Sequence, residues 1–331
     1  MMNIQYLNPD LRELNIKLRS AFGNAASMSD EDARYCRWLA MGMRSATAEV
    51  SASQQTLVGE LKVIVDFARS RNLEDVVGWC MAASQGQSIE NSALDVVTCI
   101  RDFVISHVPV PAKILDVAAG TGRQCLPLAI HGYEVSLFEP ASTFLEAACE
   151  TATSQGIEDA IADLVCGTFK DLPKIRDDAY EVSVCLGSVL YAHPRQAAED
   201  VLSNLSRVSS RGVVVDVASK YGLILQLGTE GMEVTAESIE QLLETGVTPP
   251  TSAENGHVVY SCFSSAELYS TLTNLGLRVE RLVGHGIPGT LDQETANLLP
   301  VFELDRIEEY LQAEDQAVDL FPNILALCVK E

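Results

Sequence analysis

One run of ten residues, Ile114-Leu-Asp-Val-Ala-Ala-Gly-Thr-Gly-Arg123, holds the residue types from which ligand chemistry can be read. An apolar stretch reaches Asp116, a glycine turn follows, and Arg123 opens the next helical run. Gly120 and Gly122 permit a sharp turn and a close backbone approach to a ligand, where a side chain would collide. Seventeen residues beyond Gly122, at the end of a second apolar run, Glu139 stands beside Pro140. A carboxylate in that place can accept hydrogen bonds from both hydroxyls of a ribose. Glycine loop and acid together describe an adenosine-type ligand. A nicotinamide dinucleotide shares this logic, and its GxGxxG fingerprint is missed here only at the last position, Cys125. Asp116 separates the alternatives, because a carboxylate at the strand tip opposes pyrophosphate but orients a cationic amino-acid group.

S-adenosylmethionine carries a sulfonium and an ammonium and has no phosphate, so the acid favours it. The segment LDVAAGTG resembles the first motif of class I S-adenosylmethionine-dependent methyltransferases of the small-molecule type, and Glu139 matches their ribose-binding acid. The resemblance extends over residues 112–331 and implies a closing strand that lies antiparallel at the sheet edge. It implies that Asp116, Ala118, Gly120 and Gly122 hold the methionine portion of the cofactor, with Ala118 in place of the commoner glycine. Arg123 either meets the cofactor carboxylate or stays solvated. In VCGTFKDLP, Thr168 stands where the family usually offers an acid to adenine, which leaves the Thr168 hydroxyl, the backbone and Phe169 packing to hold that base. The run from Cys185 to His193 is similar to the fourth motif, and its Leu186 and Gly187 would border the sulfonium.

Methyl transfer is an in-line displacement, and it needs a base only where the nucleophile must lose a proton. His193 and Tyr191 follow the strand end beside the expected methyl group and are the expected catalytic pair. The alternative has His193 capping the helix that opens at Pro194, with Tyr191 packed beneath it. His257 and Tyr260, near the end of an insertion, and His285, at a later strand end, are weaker expectations for acceptor contacts. The absence of [DN]PPY speaks against exocyclic base amines, and the absence of a Pro-Cys pair against cytosine C5. No acid occupies positions 185, 187 or 188, so a magnesium-dependent catechol site lacks its ligand, and no metal is expected.

These residues need a frame, and the hydrophobic pattern supplies one. Apolar runs at 113–118, 133–139, 163–168, 180–187, 212–218, 277–285 and 323–330 alternate with helical runs, of which 123–131, 142–155, 194–208 and 265–275 are the clearest. This spacing predicts an α/β fold with a doubly wound parallel sheet, and the resemblance implies the seven-stranded, mostly parallel, Rossmann-like methyltransferase type. Residues 1–108 read as an N-terminal helical cap domain and 109–331 as the cofactor-binding domain. Glycines, prolines and one amphipathic helix at 219–260 suggest a lid.

The chain has 331 residues and a formal net charge of −23, a balance that repels phosphate backbones and excludes nucleic acid as a partner. Nine cysteines form no CxxC pair or zinc-ligand spacing and fit buried thiols in a reducing compartment. No stretch is apolar enough to span a membrane, and the first residues do not read as a signal peptide, so a soluble, cytoplasmic protein is expected. The leading expectation is methylation of a small, biosynthetic molecule. A peptide or protein methyltransferase and a non-catalytic scaffold for S-adenosylmethionine or S-adenosylhomocysteine are the alternatives, and the sequence leaves the oligomeric state open.

Overall fold

The computed structural model describes residues 3–23, 52–73, 76–77, 80, 96–187, 190, 193–229, 235–247, 261–286 and 318–331. The chain begins with a short strand, β1 (Ile4–Tyr6), followed by the helices α1 (Pro9–Gly23), α2 (Ala52–Ser70) and α3 (Val96–His107). Three residues are too few to show a period, so β1 is not legible in the sequence. Leu11, Leu14 and Leu18 recur at helical spacing and are fully buried, as are Leu61 and Ala68 on α2, which sets one face of each helix toward the sheet. These residues belong to the same apolar cluster as Ile114, Leu137 and Leu164 of the sheet. The N-terminal helices and that sheet face therefore share one core.

All seven strands expected from the sequence are present. They are β2 (Lys113–Val117), β3 (Glu134–Phe138), β4 (Ile161–Cys166), β5 (Tyr180–Cys185), β6 (Ser209–Ser219), β8 (Leu277–His285) and β9 (Asn323–Lys330). With β1 and a two-residue strand, β7 (Cys262–Phe263), the sheet has nine strands among the described residues, in the order β1-β4-β3-β2-β5-β6-β9-β8, and β7 pairs with the end of β6. Neighbours are parallel except around β9, which runs antiparallel between β6 and β8. Strands 2, 3 and 5 are nearly continuous apolar runs because both faces of the sheet are covered. Chain order reverses between β2 and β5, and such a switch point leaves a crevice beyond the carboxyl ends of the two strands.

The connecting helices differ from the sequence reading in three places. The run 123–131 contains only a four-residue helix, α4 (Leu126–Ala129), with Pro127 in its first turn. Arg123 therefore lies in the preceding turn and does not open a helix. After α5 (Ser142–Gln155), β4 ends at Cys166, so Thr168 and Phe169 begin a separate 3-10 turn, Phe169–Lys174. The region read as a lid is more regular than expected. Beyond α6 (Arg195–Val208), β6 runs on to Ser219 and two helices follow, α7 (Lys220–Thr229) and α8 (Ala236–Thr245). The helix α9 (Ser265–Asn274) opens with Ser264 and Glu267 in a capping box and packs beside β8.

Candidate functional site

A cleft of about 470 Å³ opens over the carboxyl ends of β2, β3 and β5, at the switch point. Its floor is the loop after β2. Ala118, Gly120 and Gly122 there have φ of 57°, 54° and 75°, a succession of left-handed residues that folds the chain back on itself. The two glycines have different tasks. Gly120 lines the cleft, and a Cβ built on it meets nothing within 4 Å, so the space beside its Cα is open while its N–H is held by Glu139. A Cβ on Gly122 would come within 2.9 Å of Leu126 and 3.3 Å of Leu137, so this glycine lets α4 close against β3. Gly120 is thus the member of the pair that lines the cleft, and the missing side chain of Gly122 points toward α4 and β3. Arg123 is exposed on the rim of the same cleft.

Two buried carboxyls flank this loop. Asp116 is 1% exposed, lines the cleft, and its Oδ2 has no hydrogen-bond partner. Burial raises its pKa to about 7, opposed by a hydrogen bond with the Cys125 thiol and assisted by the charge of Glu139. Glu139, 5% exposed, accepts a hydrogen bond from the Gly120 N–H at 2.9 Å and another from the Ala141 N–H at 3.0 Å, one on each oxygen. Burial also raises this carboxyl to about 7, although both backbone bonds pull it down. An unpartnered buried carboxylate oxygen is costly, and a cationic ligand group removes the cost. The Glu139 oxygens keep lone pairs for further donors, as a ribose diol requires.

The far wall is apolar. Phe138, Phe144, Leu186 and Val201 contribute to it, and Gly187, at φ 81°, closes the end of β5. Gly167 follows β4 because a Cβ there would lie 2.7 Å from the Phe138 ring. Thr168 is buried, and both its N–H and its hydroxyl reach Asp171 Oδ2, at 2.9 and 3.0 Å. Phe169 meets the His193 ring edge-on, with centroids 5.1 Å apart. His193 is half-buried and lines the cleft. The cap position of α6 belongs to Pro194, which has no side-chain cap bond.

The structure brings Asp116, Ala118, Gly120, Arg123, Glu139, Pro140, Thr168, Phe169, Leu186, Gly187 and His193 to one cleft. His285 is not among its lining residues; it is buried on β8 with Nε2 3.3 Å from Asp216 Oδ2. Tyr191, His257 and Tyr260 lie outside the described residues. Sequence reasoning missed Phe138 and Phe144, which read as ordinary core, and Val76, which comes from the distant N-terminal part. It also missed Asn15, which is buried on α1 and bonded to the loop of Pro140. Among the described residues no group of three or more His, Cys, Asp or Glu could hold a metal ion, and no helix is long and apolar enough to cross a membrane.

This arrangement defines an α/β domain built to bind a nucleoside that carries a cationic amino-acid tail. Comparison with known proteins agrees: residues 114–212 match the methyltransferase domain family. These residues are a methyltransferase domain of the class I, S-adenosylmethionine-dependent type. A curated relative, the ubiquinone biosynthesis O-methyltransferase of Rickettsia canadensis (strain McKiel), is 23% identical over 173 residues, which cover 52% of this chain. The chain spans 65% of that relative's length. Similar solved structures include magnesium protoporphyrin IX methyltransferase from Synechocystis PCC 6803, 14% identical with a TM-score of 0.48, covering 82% of this chain and 100% of that one. Geranyl diphosphate C-methyltransferase from Streptomyces coelicolor A3(2) is 13% identical with a TM-score of 0.43, covering 71% and 76%.

Proposed function

We propose that this protein transfers a methyl group from S-adenosylmethionine to a small-molecule acceptor. The observation that carries the reading is the unpartnered Oδ2 of Asp116, buried at the base of the cleft and suited to an ammonium. Glu139 would take the ribose hydroxyls, with Pro140 shaping its loop, while Phe169 would pack against adenine. When bound, the cofactor supplies an electrophilic methyl on a sulfonium, bordered here by Leu186 and Gly187. The residues of the chain then align an acceptor and exclude water, which accounts for much of the acceleration in a displacement of this kind.

His193, on the cleft wall, and Tyr191, two residues before it, are the proposed proton acceptors for an acceptor that loses a proton. Residues 1–108 and the 219–260 insertion form the proposed enclosure for the acceptor, in a soluble, cytoplasmic protein. The relative's O-methyltransferase name makes a hydroxyl the first acceptor chemistry to screen. Calorimetric titration with S-adenosylmethionine and S-adenosylhomocysteine, on wild type and Asp116→Ala, tests the core of the reading. Binding of both that Asp116→Ala weakens supports it, and a screen with labelled methyl donor then separates an enzyme from a scaffold. Folded wild-type protein that binds neither ligand overturns it.

A further inference from the structure

The loop that carries Glu139 is gripped from two sides. On the cleft side, the carboxylate of Glu139 accepts from the Gly120 and Ala141 amides. On the other side stands Asn15 of α1, 3% exposed and 125 residues earlier in the chain than Pro140. Its Nδ2 donates to the carbonyl of Pro140 at 3.0 Å and to that of Leu11, in its own helix, at 2.9 Å. Its Oδ1 accepts from the Ser142 N–H at 2.9 Å and from the Ser142 hydroxyl at 3.2 Å. Two donors and two lone pairs are all that a carboxamide has, so the side chain is saturated.

The Ser142 amide lies at the start of α5, where the helix itself offers no acceptor and the N-cap residue, Ala141, has no side chain able to cap it. Asn15 supplies that cap from a different helix. The neighbouring Arg19 adds a bond to the Ser142 hydroxyl and an ion pair with Glu146. The backbone from 140 to 142 is thereby fixed against α1, and Glu139 is the residue that this backbone aims.

We propose that Asn15 is a positioning residue of the cofactor site, and that α1 forms part of the ribose-binding apparatus. This rests on the methyltransferase reading above. It assigns a cofactor role to a residue that touches neither the cleft nor the ligand.

A double-mutant cycle on the full chain tests it, with S-adenosylhomocysteine titrated calorimetrically into wild type, Asn15→Ala, Glu139→Gln and the double variant. Asn15→Ala in the wild-type background weakens binding about tenfold, the effect of losing one buried hydrogen-bonding anchor. In the Glu139→Gln background the same substitution changes affinity less than about twofold, because the contact it aims is already altered. Equal losses in the two backgrounds, or no loss in wild type, overturn the proposal and leave Asn15 a purely structural cap. If Asn15→Ala does not fold, Asn15→Asp keeps the acceptor for Ser142, drops the donor to Pro140, and carries the same cycle with the same outcomes. Wild-type protein that fails to bind S-adenosylhomocysteine overturns the methyltransferase reading, and this inference with it. Normal wild-type binding with unchanged Asn15 variants overturns the inference alone.

Discussion

The glycine loop after β2 and the base of the 220–267 region both bury ionisable side chains, and they treat them in opposite ways. At the loop, Asp116 and Glu139 are raised to about 7 by burial, and Asp116 keeps an oxygen with no partner. Across the sheet, Lys220 is just as buried, but its Nζ meets Glu267 Oε1 at 2.6 Å and the Leu243 carbonyl at 2.9 Å. Arg195 lies 3.8 Å from the other Glu267 oxygen, donates to the Cys262 carbonyl at 2.6 Å, and stacks 3.6 Å above the Phe263 ring. Burial pushes Glu267 up, yet the bonds from Lys220 and the Ser264 amide, with the charges of Lys220 and Arg195, bring it below its ordinary value. A buried charge that is fully partnered fixes elements of structure, here α8 and α9 against the end of β6. A buried charge left unpartnered costs stability until a ligand arrives.

The largest expected effect breaks the comparison at its sharpest point. Asp116→Asn removes a charge that nothing else compensates, so the ligand-free protein is as stable as wild type or more so. Its affinity for S-adenosylmethionine falls between about tenfold and a hundredfold, as expected for a lost charge-assisted hydrogen bond. Thermal unfolding and calorimetric titration of the same preparation check both halves. A marked loss of stability with unchanged binding would place Asp116 among the structural charges.

Lys220→Met should give the reverse pattern. It strands the Leu243 carbonyl and leaves Glu267 with Arg195 and the Ser264 amide. Since Glu267 is about a third exposed, solvent screens part of the loss, and we expect about 1–3 kcal/mol from urea unfolding. Binding of S-adenosylmethionine to the folded fraction stays within about twofold of wild type, since Lys220 does not line the cleft.

Acidity separates the two regions again, with a smaller effect. Asp116 and Glu139 titrate near 7 when folded, above the range of an unfolded chain. Between about pH 4 and pH 7 these two groups hold protons in the folded protein that they have released in the unfolded chain, so their contribution to stability falls as pH rises through that window. The slope is at most about 1.4 kcal/mol per pH unit for each group. Asp116→Asn flattens it. A cationic ligand favours the ionised carboxyls, so binding below pH 7 releases protons, seen as a titration heat that varies with the buffer. A pH dependence between 4 and 7 that Asp116→Asn leaves unchanged would contradict the burial argument.

What the sequence disclosed follows from how local the cause is. Strand runs such as 113–117 and 134–138 are apolar because both sheet faces are covered, and that pattern needs no knowledge of partners. Asp116, Gly120 and Glu139 were legible because a turn and two strand ends must sit at fixed offsets along one βαβ unit. Gly122 was legible as a glycine but not in its role, since Leu126 and Leu137 reach it only after the loop has folded. Asn15 was invisible: a lone asparagine in an amphipathic helix shows no sign of a loop that lies 125 residues away. The same holds for His285, whose strand end suggested the cleft but whose nearest charge is Asp216 in the core. The Arg195–Glu267–Lys220 cluster likewise joins elements that only the tertiary fold brings together.

Thr168 is the case in which the two treatments of polar groups meet inside one loop. By position it stands where the family offers adenine an acid, and it lines the cleft. By bonding it belongs to the partnered class, because its hydroxyl and its N–H both end on Asp171 Oδ2, and Asp171 is in turn paired with Lys174 at 2.6 Å. Thr168→Val keeps the shape and the N–H bond and removes only the hydroxyl. Asp171 still has Lys174 and the backbone amide, so we expect a stability loss of about 0.5–1.5 kcal/mol, the net worth of one hydrogen bond. S-adenosylhomocysteine affinity should change less than about threefold, because the hydroxyl proton serves Asp171 and the proposed adenine contact is the Phe169 ring. A tenfold loss of affinity at unchanged stability would instead make the hydroxyl an adenine ligand, and would show that a partnered side chain can still give up its bond when the cofactor arrives.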